Sequence, residues 1–421
     1  MTEPAEPLLP ARQMPGPRSP PGSRFVALRS RDFRLLLAGQ TISLTGSQMQ
    51  QVAVVWQLYL LTGSPLALGM MGLFRIVPIV AFALGGGVMA DALDRRRLML
   101  FTQAALALVS VALAILAFTH RTTPAAIYAL SFLAGAATAF DNPARQALVP
   151  RLVDREQLPN ALSLYTTVWQ VATIAGPAIG GALLAWIGPG AIYVADVLSF
   201  GAVIVALLAM EHRHVGAGRS LINAKAALEG LRFIRRTPLI WSTMLVDFAA
   251  TFFAGSMLLL PIFADQLLHV GPRGLGLLYS AQPAGAVLAG AVLSTTPLPR
   301  KRGAAILWSV AIYGASIAVF GISRWFWLSL LMLGVSGAAD TVSMVIRQTA
   351  RQTITPDELR GRMSSVNMIF FMGGPQLGEV EAGVVAKLIG VRASVASGGL
   401  VCLATAALVA LLVPALARYE E

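Results

Sequence analysis

Charged residues are scarce in this chain. Only 12% of its 421 residues are Asp, Glu, Lys or Arg, whereas 56% are hydrophobic and the mean hydropathy is +0.70. A soluble domain carries about 25% charged residues. Because the deficit extends along the whole chain, the composition predicts an all-α integral membrane protein. The net charge of +12 does not indicate a nucleic-acid partner, because the arginines lie in short loops between apolar runs.

Cysteine and histidine are also sparse. The single cysteine, Cys402, excludes an intrachain disulfide, and the four histidines form no metal-ligand pattern. No segment has the phosphate-loop form GxxxxGK[ST], so we expect neither ATP-driven transport nor a cofactor or metal. A membrane-embedded, lipid-modifying enzyme is the alternative from another class. It requires a clustered nucleophile and base or a metal site, and the sequence suggests neither, so we predict that the protein is not an enzyme.

Apolar runs long enough to cross a bilayer, about 20 residues each, occur twelve times. Their predicted bounds are 33–60, 66–90, 98–119, 124–143, 161–186, 190–210, 239–266, 273–296, 303–322, 325–347, 363–388 and 392–416. A Pro/Arg-rich segment at 1–32 is expected to form a disordered cytoplasmic tail. The longest connection, 211–238, separates a six-helix half at 33–210 from a second half at 239–421. Its apolar residues recur at helical spacing, which predicts an amphipathic helix on the membrane surface or a simple tether.

The distribution of basic residues predicts the orientation. Apart from Arg75, which lies within a span, 26 basic residues fall in the terminal segments, the central connection and the even-numbered loops, against 5 in the odd-numbered loops. Loops rich in Lys and Arg remain in the cytoplasm. Both termini are therefore predicted to be cytoplasmic, in a multi-pass protein of the cytoplasmic (inner) membrane with the lipid bilayer around it.

Two motifs occur once in each half. After the fourth span, the first half reads RQALVP (145–150) and the second reads RQTITP (351–356). Within the fifth span, the halves read GPAIGG (176–181) and GPQLGE (374–379). Repeated halves with a site at their interface are an architecture of secondary transporters. The sequence therefore predicts two six-helix pseudo-repeats.

Several motifs together resemble those of the major facilitator superfamily. The loop after the second span reads GVMADALDRRRLM (87–99), like the signature of that superfamily, although Asp94 stands where the family usually has Gly. Further similar segments are LFRIVP (73–78), DVLSF (196–200), ALEGLRFIRRTP (227–238) and LGEVEAG (377–383). Over roughly residues 25–416 the chain resembles the branch that includes the enterobactin exporter and macrolide-efflux-type proteins. The resemblance implies the twelve-helix fold and the export of small molecules.

The resemblance also implies a cytoplasmic gate of four residues: Asp91, Arg95, Arg96 and Asp141. In the family, the acid at Asp91 lies by the N-terminus of the eleventh helix, where the helix dipole favours negative charge. The arginine at Arg95 pairs with an acid at the end of the fourth span, here Asp141. Such contacts hold the halves closed on the cytoplasmic side. The alternative is that the arginine run only sets the topology.

Glycine and proline interrupt the fifth and eleventh spans at Gly176, Pro177, Gly180, Gly181, Gly374 and Pro375. In a spanning helix, glycine permits close helix contact and proline permits a bend. The resemblance associates the motif of the fifth span with exporters, although Ala172 replaces one upstream glycine. Ser131 stands where related drug/proton antiporters often have an arginine, so their coupling scheme is not transferred directly.

Ionisable residues within spans are the candidates for ion coupling, because each costs about 2.5–3.5 kcal/mol on insertion scales. We predict this role for Glu379, Asp340, Asp247 and Arg75. Glu379 replaces the second glycine of its repeat, Gly181. Asp340 shares one helical face with Ser336, Ser343 and Arg347. A structural ion pair is the alternative for Arg75, Arg347 and Asp141, and Asp196, near the start of the sixth span, is expected to be a cap or a member of an ion pair.

A polar stripe on the first span predicts a substrate cavity, because a lipid-facing stripe would be less polar. The predicted lining is Ser47, Gln50, Gln57, Trp169, Gln282 and Phe371. We therefore expect a monomeric secondary transporter that exports small amphipathic molecules, such as drugs or siderophores, in exchange for protons by alternating access. The alternative within transport is an importer of a small solute.

Overall fold

The computed structural model of the chain describes residues 25–92, 94–211, 232, 234–235 and 237–420. Within its helices, the side chains of 83–92, 357–358, 360–362, 364–366, 368–372 and 417 are not described. Most of the central connection, where the amphipathic helix is predicted, and the predicted tail up to residue 24 therefore lie outside the described residues. Described structure begins with a 3-10 turn at Val26–Arg29, inside the segment predicted as tail, and Ala27 in this turn is fully buried.

The first half contains six helices: α1 (Arg31–Thr62), α2 (Pro65–Ala92), α3 (Arg95–Phe118), α4 (Pro124–Leu148), α5 (158–187) and α6 (189–209). Gly188, with φ 72° and ψ 177°, is not helical and divides the stretch Leu158–Ala209 into α5 and α6. Side-chain caps begin three of these helices, at Ser30, Asp94 and Thr123. Each cap accepts a hydrogen bond from a main-chain N–H of the first turn.

The second half begins with a broken helix. The segment α7 starts as Pro238–Phe253 and continues through a 3-10 turn at Met257–Leu259, a short turn at Leu260–Ile262 and a π-helical turn at Phe263–Leu267. It is followed by α8 (Gly271–Thr295), α9 (Arg302–Ile322), α10 (Phe326–Ile354), α11 (Asp357–Ile389), α12 (Val391–Leu412) and the short α13 (Pro414–Ala417).

Several helices extend beyond their predicted ends. The apolar run of α4 was expected to end at residue 143, and that of α10 at residue 347, yet the helices continue to Leu148 and Ile354. The apolar criterion stops at charged residues, whereas Arg and Gln are good helix formers and prolong the helix past the apolar region. As a result, Arg145 and Arg351 lie on helices rather than in loops.

Among the described residues, nine helical segments are long and apolar enough to cross a membrane. The segment Leu158–Ala209 is one of the nine although it contains both α5 and α6, and the polar helices α1 and α11 are not among them. The all-α membrane fold is thus confirmed, whereas the count of exactly twelve spans stays a prediction.

Consecutive helices run in opposite directions. We call the face at which α1 begins and α12 ends the terminal face, and the opposite one the far face. In the first half, α2 and α3 pack on α4, and α1 and α3 pack on α6. In the second half, α8 and α9 pack on α10, and α7 and α9 pack on α12. The two halves therefore repeat one arrangement of six helices.

The halves meet along two helix pairs, α2 with α11 and α5 with α8. These pairs are equivalent under the repeat, since α2 corresponds to α8 and α5 to α11. Each described close approach lies toward the far face, where α2 and α8 begin and α5 and α11 end. We call this interface the seam. Toward the terminal face, α2 and α11 contain residues 83–92 and 357–372, most of whose side chains lie outside the described part.

Candidate gating and coupling sites

Glycines on two helices bring the halves into backbone contact at the seam. A Cβ atom on Gly181 of α5 would lie 2.5 Å from the carbonyl oxygen of Pro272 and 2.7 Å from the Cα of Gly276 on α8. A Cβ on Gly69 of α2 would lie 2.7 Å from the carbonyl oxygen of Glu379 and 2.9 Å from the Cα of Gly383 on α11. Because these neighbours are main-chain atoms, a larger side chain would separate the halves.

The remaining motif glycines hold each half together. Gly176 and Gly180 of α5 face Gln48 and Met49 of α1. In the second half, Gly374 of α11 faces Thr251 of α7 in the same way. Pro177 and Pro375 lie inside their helices. The repeated motif therefore sets the contacts of α5 and α11 with the first helix of each half, and the close packing predicted from glycine is present.

A polar cluster occupies the seam at the position where the repeat differs. Glu379 of α11 lies over Gly72 of α2, and its Oε2 atom would be 3.1 Å from a Cβ on that glycine. Arg75 of α2 and Tyr279 of α8 lie within electrostatic range of the carboxylate. Glu379 Oε2, the Tyr279 hydroxyl and Gln376 Oε1 are buried without a hydrogen-bond partner among the described atoms. The structure thus places two of the predicted coupling residues, Glu379 and Arg75, together between the halves.

The other two predicted coupling residues share an ion cluster within the second half, in which Asp247 and Arg347 are buried and Asp340 is partly exposed. Arg347 of α10 donates to Asp247 of α7 at 2.7 Å and to Ser343 Oγ at 2.7 Å, and it lies 3.7 Å from Asp340. Arg351 lies 3.8 Å from the other oxygen of Asp247 and also binds Asn367 of α11. The predicted common face of Ser343, Arg347 and Asp340 is therefore present. The ion pairs join α7 and α10, and the hydrogen bond from Arg351 to Asn367 adds α11.

Asp141 forms the corresponding cluster in the first half. This carboxylate is fully buried and accepts hydrogen bonds from Thr102 Oγ1 at 2.7 Å, from Gln103 Nε2 at 2.9 Å and from Arg145 one turn further along α4. Arg145 also donates to the Tyr165 hydroxyl on α5 at 3.2 Å. The cluster joins α3, α4 and α5, and the predicted pairing of Asp141 with Arg95 stays a prediction.

The predicted gate loop has a structural element that the sequence analysis missed. Asp94, the departure from the family signature, caps α3 by accepting from the main-chain N–H of Arg96 at 2.9 Å and of Arg97 at 3.3 Å. The Arg96 side chain donates to the carbonyl of Leu208 on α6 at 2.9 Å, and Arg95 is buried. The Asp91 side chain lies outside the described part. An acid followed by a helical run was the available signal for the cap.

Three predicted cavity residues on α1 direct their hydrogen bonds into the first half. Gln50 Nε2 donates to Ser110 Oγ on α3 at 2.6 Å, and Ser47 Oγ lies 3.5 Å from Asp196 Oδ1 on α6. Gln57 donates to Thr122 Oγ1 at 3.0 Å. All three remain partly exposed. The polar stripe of α1 therefore lies in the interface of α1 with α3 and α6. Its contact with substrate stays a prediction.

Trp169 has an environment suited to an organic ligand. It lines a cavity of about 310 Å³ near the terminal end of α4 and α5, together with Asn142, Arg145, Gln146, Tyr165 and Thr166. Its indole is 48% exposed. Gln282 is partly buried where α8 packs on α10, and the Phe371 side chain lies outside the described part.

The sequence analysis also missed a contact between the halves at the far face. Tyr59, near the end of α1, donates its hydroxyl hydrogen to Asp265 Oδ2 at 2.5 Å and accepts from Gln266 Nε2 at 3.1 Å. Both partners lie on the π-helical turn of α7. Helical periodicity assumes an α-helix, so it gave no signal for these two side chains.

Known proteins are similar to this chain in sequence and in fold. A sequence profile of the family described as transmembrane secretion effectors matches residues 22–420. The enterobactin exporter EntS of Shigella boydii serotype 18 is 25% identical over 391 residues, which cover 92% of this chain and 93% of the exporter. The EntS protein of Escherichia coli O127:H6 has the same identity and coverage.

Solved structures share the fold at low sequence identity. A bacterial homologue of the iron transporter ferroportin in an inward-facing state has a TM-score of 0.71 and 16% identity, covering 92% of this chain and 99% of that chain. The nucleoside transporter NupG has a TM-score of 0.71 and 13% identity, covering 92% and 100%. The predicted superfamily is confirmed. The protein is a multi-pass membrane transporter of small molecules and not an enzyme, and the chain belongs to the transmembrane secretion effector family of the major facilitator superfamily.

Proposed function

We propose that this transporter exports small amphipathic organic molecules, siderophores among them, from the cytoplasm in exchange for protons. The relatives named as enterobactin exporters support both the direction and the substrate class. The excess of basic residues in the terminal segments and even-numbered loops supports an inner-membrane protein whose terminal face is cytoplasmic. The protein acts as a monomer in the bilayer, because each half supplies one side of the seam.

The observation that carries proton coupling is the position of Glu379. It lies on α11 facing α2, within electrostatic range of Arg75, with one carboxylate oxygen buried and unpartnered. Helices α2 and α11 belong to different halves, so alternating access changes the distance between Glu379 and Arg75. Near Arg75 the charged carboxylate is stabilised, whereas in an apolar setting away from Arg75 the protonated acid is favoured. One cycle of this movement would therefore let the Glu379 carboxylate bind one proton and release it.

Substrate binds on the cytoplasmic side in this proposal. Trp169 and Tyr165 offer aromatic surface, and Asn142 and Gln146 offer amide groups, around the cavity near the terminal face. Aromatic and amide side chains suit an amphipathic organic molecule better than a bare ion. The glycine contacts at the far face close the route to the exterior while this cavity is loaded.

Glu379→Gln tests the proposal in proteoliposomes with an imposed pH gradient, using enterobactin and ethidium as probes. We expect the variant to lose accumulation against a concentration gradient, because it carries no titratable group, and to keep exchange of substrate down its gradient. Asp340→Asn, the same kind of change at another predicted coupling residue, should keep accumulation, since Asp340 lies in the ion cluster away from the seam. An uncoupler should abolish wild-type accumulation.

Other results would overturn parts of the proposal. Gradient-driven accumulation by Glu379→Gln with wild-type pH dependence would exclude Glu379 as the coupling acid. Proton-driven uptake into cells, instead of efflux, would favour the importer. Accumulation that is insensitive to the uncoupler would exclude proton coupling altogether.

A further inference from the structure

A second buried carboxylate lies in the first half, away from the seam. Asp196 of α6 is fully buried between α1 and α3. Its Oδ2 atom accepts from Ser110 Oγ of α3 at 2.8 Å, and its Oδ1 atom accepts from Ser199 Oγ at 3.1 Å and lies 3.5 Å from Ser47 Oγ of α1. Three hydroxyl groups from three helices therefore surround one carboxylate.

The groups that face Asp196 are uncharged. Helix α1 presents Gly46, Ser47 and Gln50, and α3 presents Ser110. On α6 itself the nearest titratable group is Tyr193, whose hydroxyl donates to Gln57 Oε1 at 2.7 Å. In the described part of the chain, Asp141, Asp247 and Asp340 form ion pairs with arginines, whereas Asp196 forms none. An ionised carboxylate without a cation is costly in such a site.

The hydrogen bonds around Asp196 can be completed in both protonation states. When the acid is ionised, Ser110 and Ser199 donate to its two oxygens. When Oδ2 carries a proton, it can donate to Ser110 Oγ, and Ser110 can turn its own hydrogen to the carbonyl of Leu106 at 3.1 Å. Ser199 then donates to the Asp196 carbonyl at 2.7 Å. A hydroxyl oxygen accepts two hydrogen bonds, so Ser110 can also keep the bond from Gln50 Nε2 at 2.6 Å.

The second half shows that helix packing does not require an acid at this position. Helices α6 and α12 both follow a glycine of positive φ, Gly188 and Gly390. Asp196 and Gly398 lie at the same distance along the chain from these glycines, so they are equivalent positions in the repeat. In the first half, Gly46 of α1 leaves room for Asp196. In the second half, a Cβ on Gly398 would lie 2.0 Å from the main-chain carbonyl oxygen of Phe253 on α7. At the equivalent helix crossing, a glycine therefore packs against main chain in the second half, whereas the first half has a carboxylate.

Polar atoms connect the carboxylate with accessible positions. Ser47 and Gln50 are partly exposed and lie next to Asp196 and Ser110, whereas the carboxylate itself is inaccessible. A proton can thus reach Asp196 by exchange along hydroxyl groups, while a solvated ion of larger size cannot. The structure assigns to Asp196 and its three serines a second proton-binding site, housed within the first half. This site deepens the proposed proton-coupled export and rests on it for its role in the transport cycle.

The test is infrared spectroscopy of the purified, full-length protein in lipid nanodiscs without substrate. We expect wild-type difference spectra between acid and alkaline buffers to contain a carboxylic-acid C=O band that Asp196→Asn removes. Glu379→Gln, the matched control, should leave this band in place and remove a different one. If the spectrum of Asp196→Asn equals that of the wild type, the site does not bind a proton.

A second variant keeps the inference testable if Asp196→Asn fails to fold. Ser110 donates to Asp196 Oδ2, so Ser110→Ala should shift the frequency of the Asp196 carboxylic-acid band without removing it. We expect the band to decrease at alkaline pH and to be unchanged when choline replaces Na⁺. A band that Ser110→Ala does not shift, or that Na⁺ suppresses, would overturn the assignment.

Transport measurements separate this inference from the proposed function. In proteoliposomes, Asp196→Asn should lose ethidium accumulation driven by a pH gradient and keep downhill exchange. If the wild type accumulates ethidium and Asp196→Asn does so equally, the inference fails while the proposed function stands. If the wild type transports neither probe but the Asp196 band is present, the proposed function fails and the proton site stands.

Discussion

The two halves carry similar arginine motifs but build different charged clusters around them. The repeated segments place Arg145 and Arg351 at equivalent positions of α4 and α10. Four residues earlier, the first half has Asp141 and the second has Arg347. In the first half the acid and its arginine are thus on one helix, with Thr102 and Gln103 of α3 completing the contacts. In the second half, two arginines on one helix bind Asp247 of α7.

This difference decides which helices each cluster holds together. The cluster of the first half fixes α4 to α3 and α5, whereas that of the second half fixes α10 to α7 and α11. The same backbone repeat therefore supports two distributions of charge, provided that each buried charge finds a partner nearby. The halves are alike in helix packing and unlike in every buried acid discussed above.

The largest effect is expected where the repeat differs at the seam, at Gly181 and its counterpart Glu379. Gly181→Leu should abolish transport, because its side chain would meet main-chain atoms of Pro272 and Gly276 and force the far face open. Efflux assays would measure the loss. A cysteine at Ser280, in a Cys402→Ala background, should become reactive to an impermeant maleimide added outside.

Gly201→Ala is the control for this substitution, because a Cβ at Gly201 meets no atom within 4 Å. It should transport at the wild-type rate. Normal efflux by Gly181→Leu would show that backbone contact between α5 and α8 is not needed for the seam.

The second-largest effect on transport is expected at the gate loop (87–99). This loop contains acids, whereas its counterpart in the second half does not. The corresponding loop of the second half has Arg300 and Arg302 without an acid nearby. Asp91→Asn should remove most transport, because it loses the charge expected at the N-terminus of α11, while the arginines that set the topology are unchanged. Whole-cell efflux and immunoblots measure activity and abundance. Normal efflux at normal abundance would contradict the gate.

A smaller effect should distinguish the two charged clusters by stability. Arg347→Met leaves Asp247 with one arginine at 3.8 Å and Asp340 without its partner, and we expect a loss of about 3–5 kcal/mol. Arg145→Met should cost less, about 1–3 kcal/mol, because Asp141 keeps its bonds from Thr102 and Gln103. Thermal unfolding in detergent measures both. Equal losses would show that the clusters are energetically equivalent.

The smallest effect is expected at the helix starts. Asp94 caps α3, whereas its counterpart Lys301 precedes α9 without a side-chain cap. Asp94→Ala should therefore lower the stability of the first half by about 1 kcal/mol. The reciprocal change, Lys301→Asp, should raise stability by a similar amount. Thermal unfolding of the two variants measures both changes in stability. A stabilised Asp94→Ala would exclude the cap.

Much of the fold could be predicted from the chain because bilayer thickness and backbone hydrogen bonding restrict the choices. The helix starts near Pro124, Pro238 and Arg302 agree with the apolar runs within one residue. The ends of α4 and α10 do not, since arginine continues a helix beyond the apolar region. The π-helical turn of α7 could not be predicted, because it depends on packing and not on composition.

The candidate site divides in the same way. Residues on one helix were grouped correctly, as with Ser343 and Arg347, because a helix fixes their spacing. Partners on different helices were not: Asp196 was expected to be a cap or a member of an ion pair, whereas serines of α1, α3 and α6 surround it. The α1 stripe was recognised as polar, but its hydrogen bonds are with α3 and α6.

The sequence by itself determined that this protein spans a membrane, that it consists of two repeated halves and that its basic residues favour one side. These properties follow from the composition, the length of the apolar runs and the repeated motifs, all of which can be read along the chain. Only the tertiary structure decided which buried charge meets which partner, and that Gly181 faces Gly276 while Asp196 lies among three serines. The physical reason is that a side chain's position on its helix is fixed by local geometry, whereas its neighbours depend on how separate helices cross.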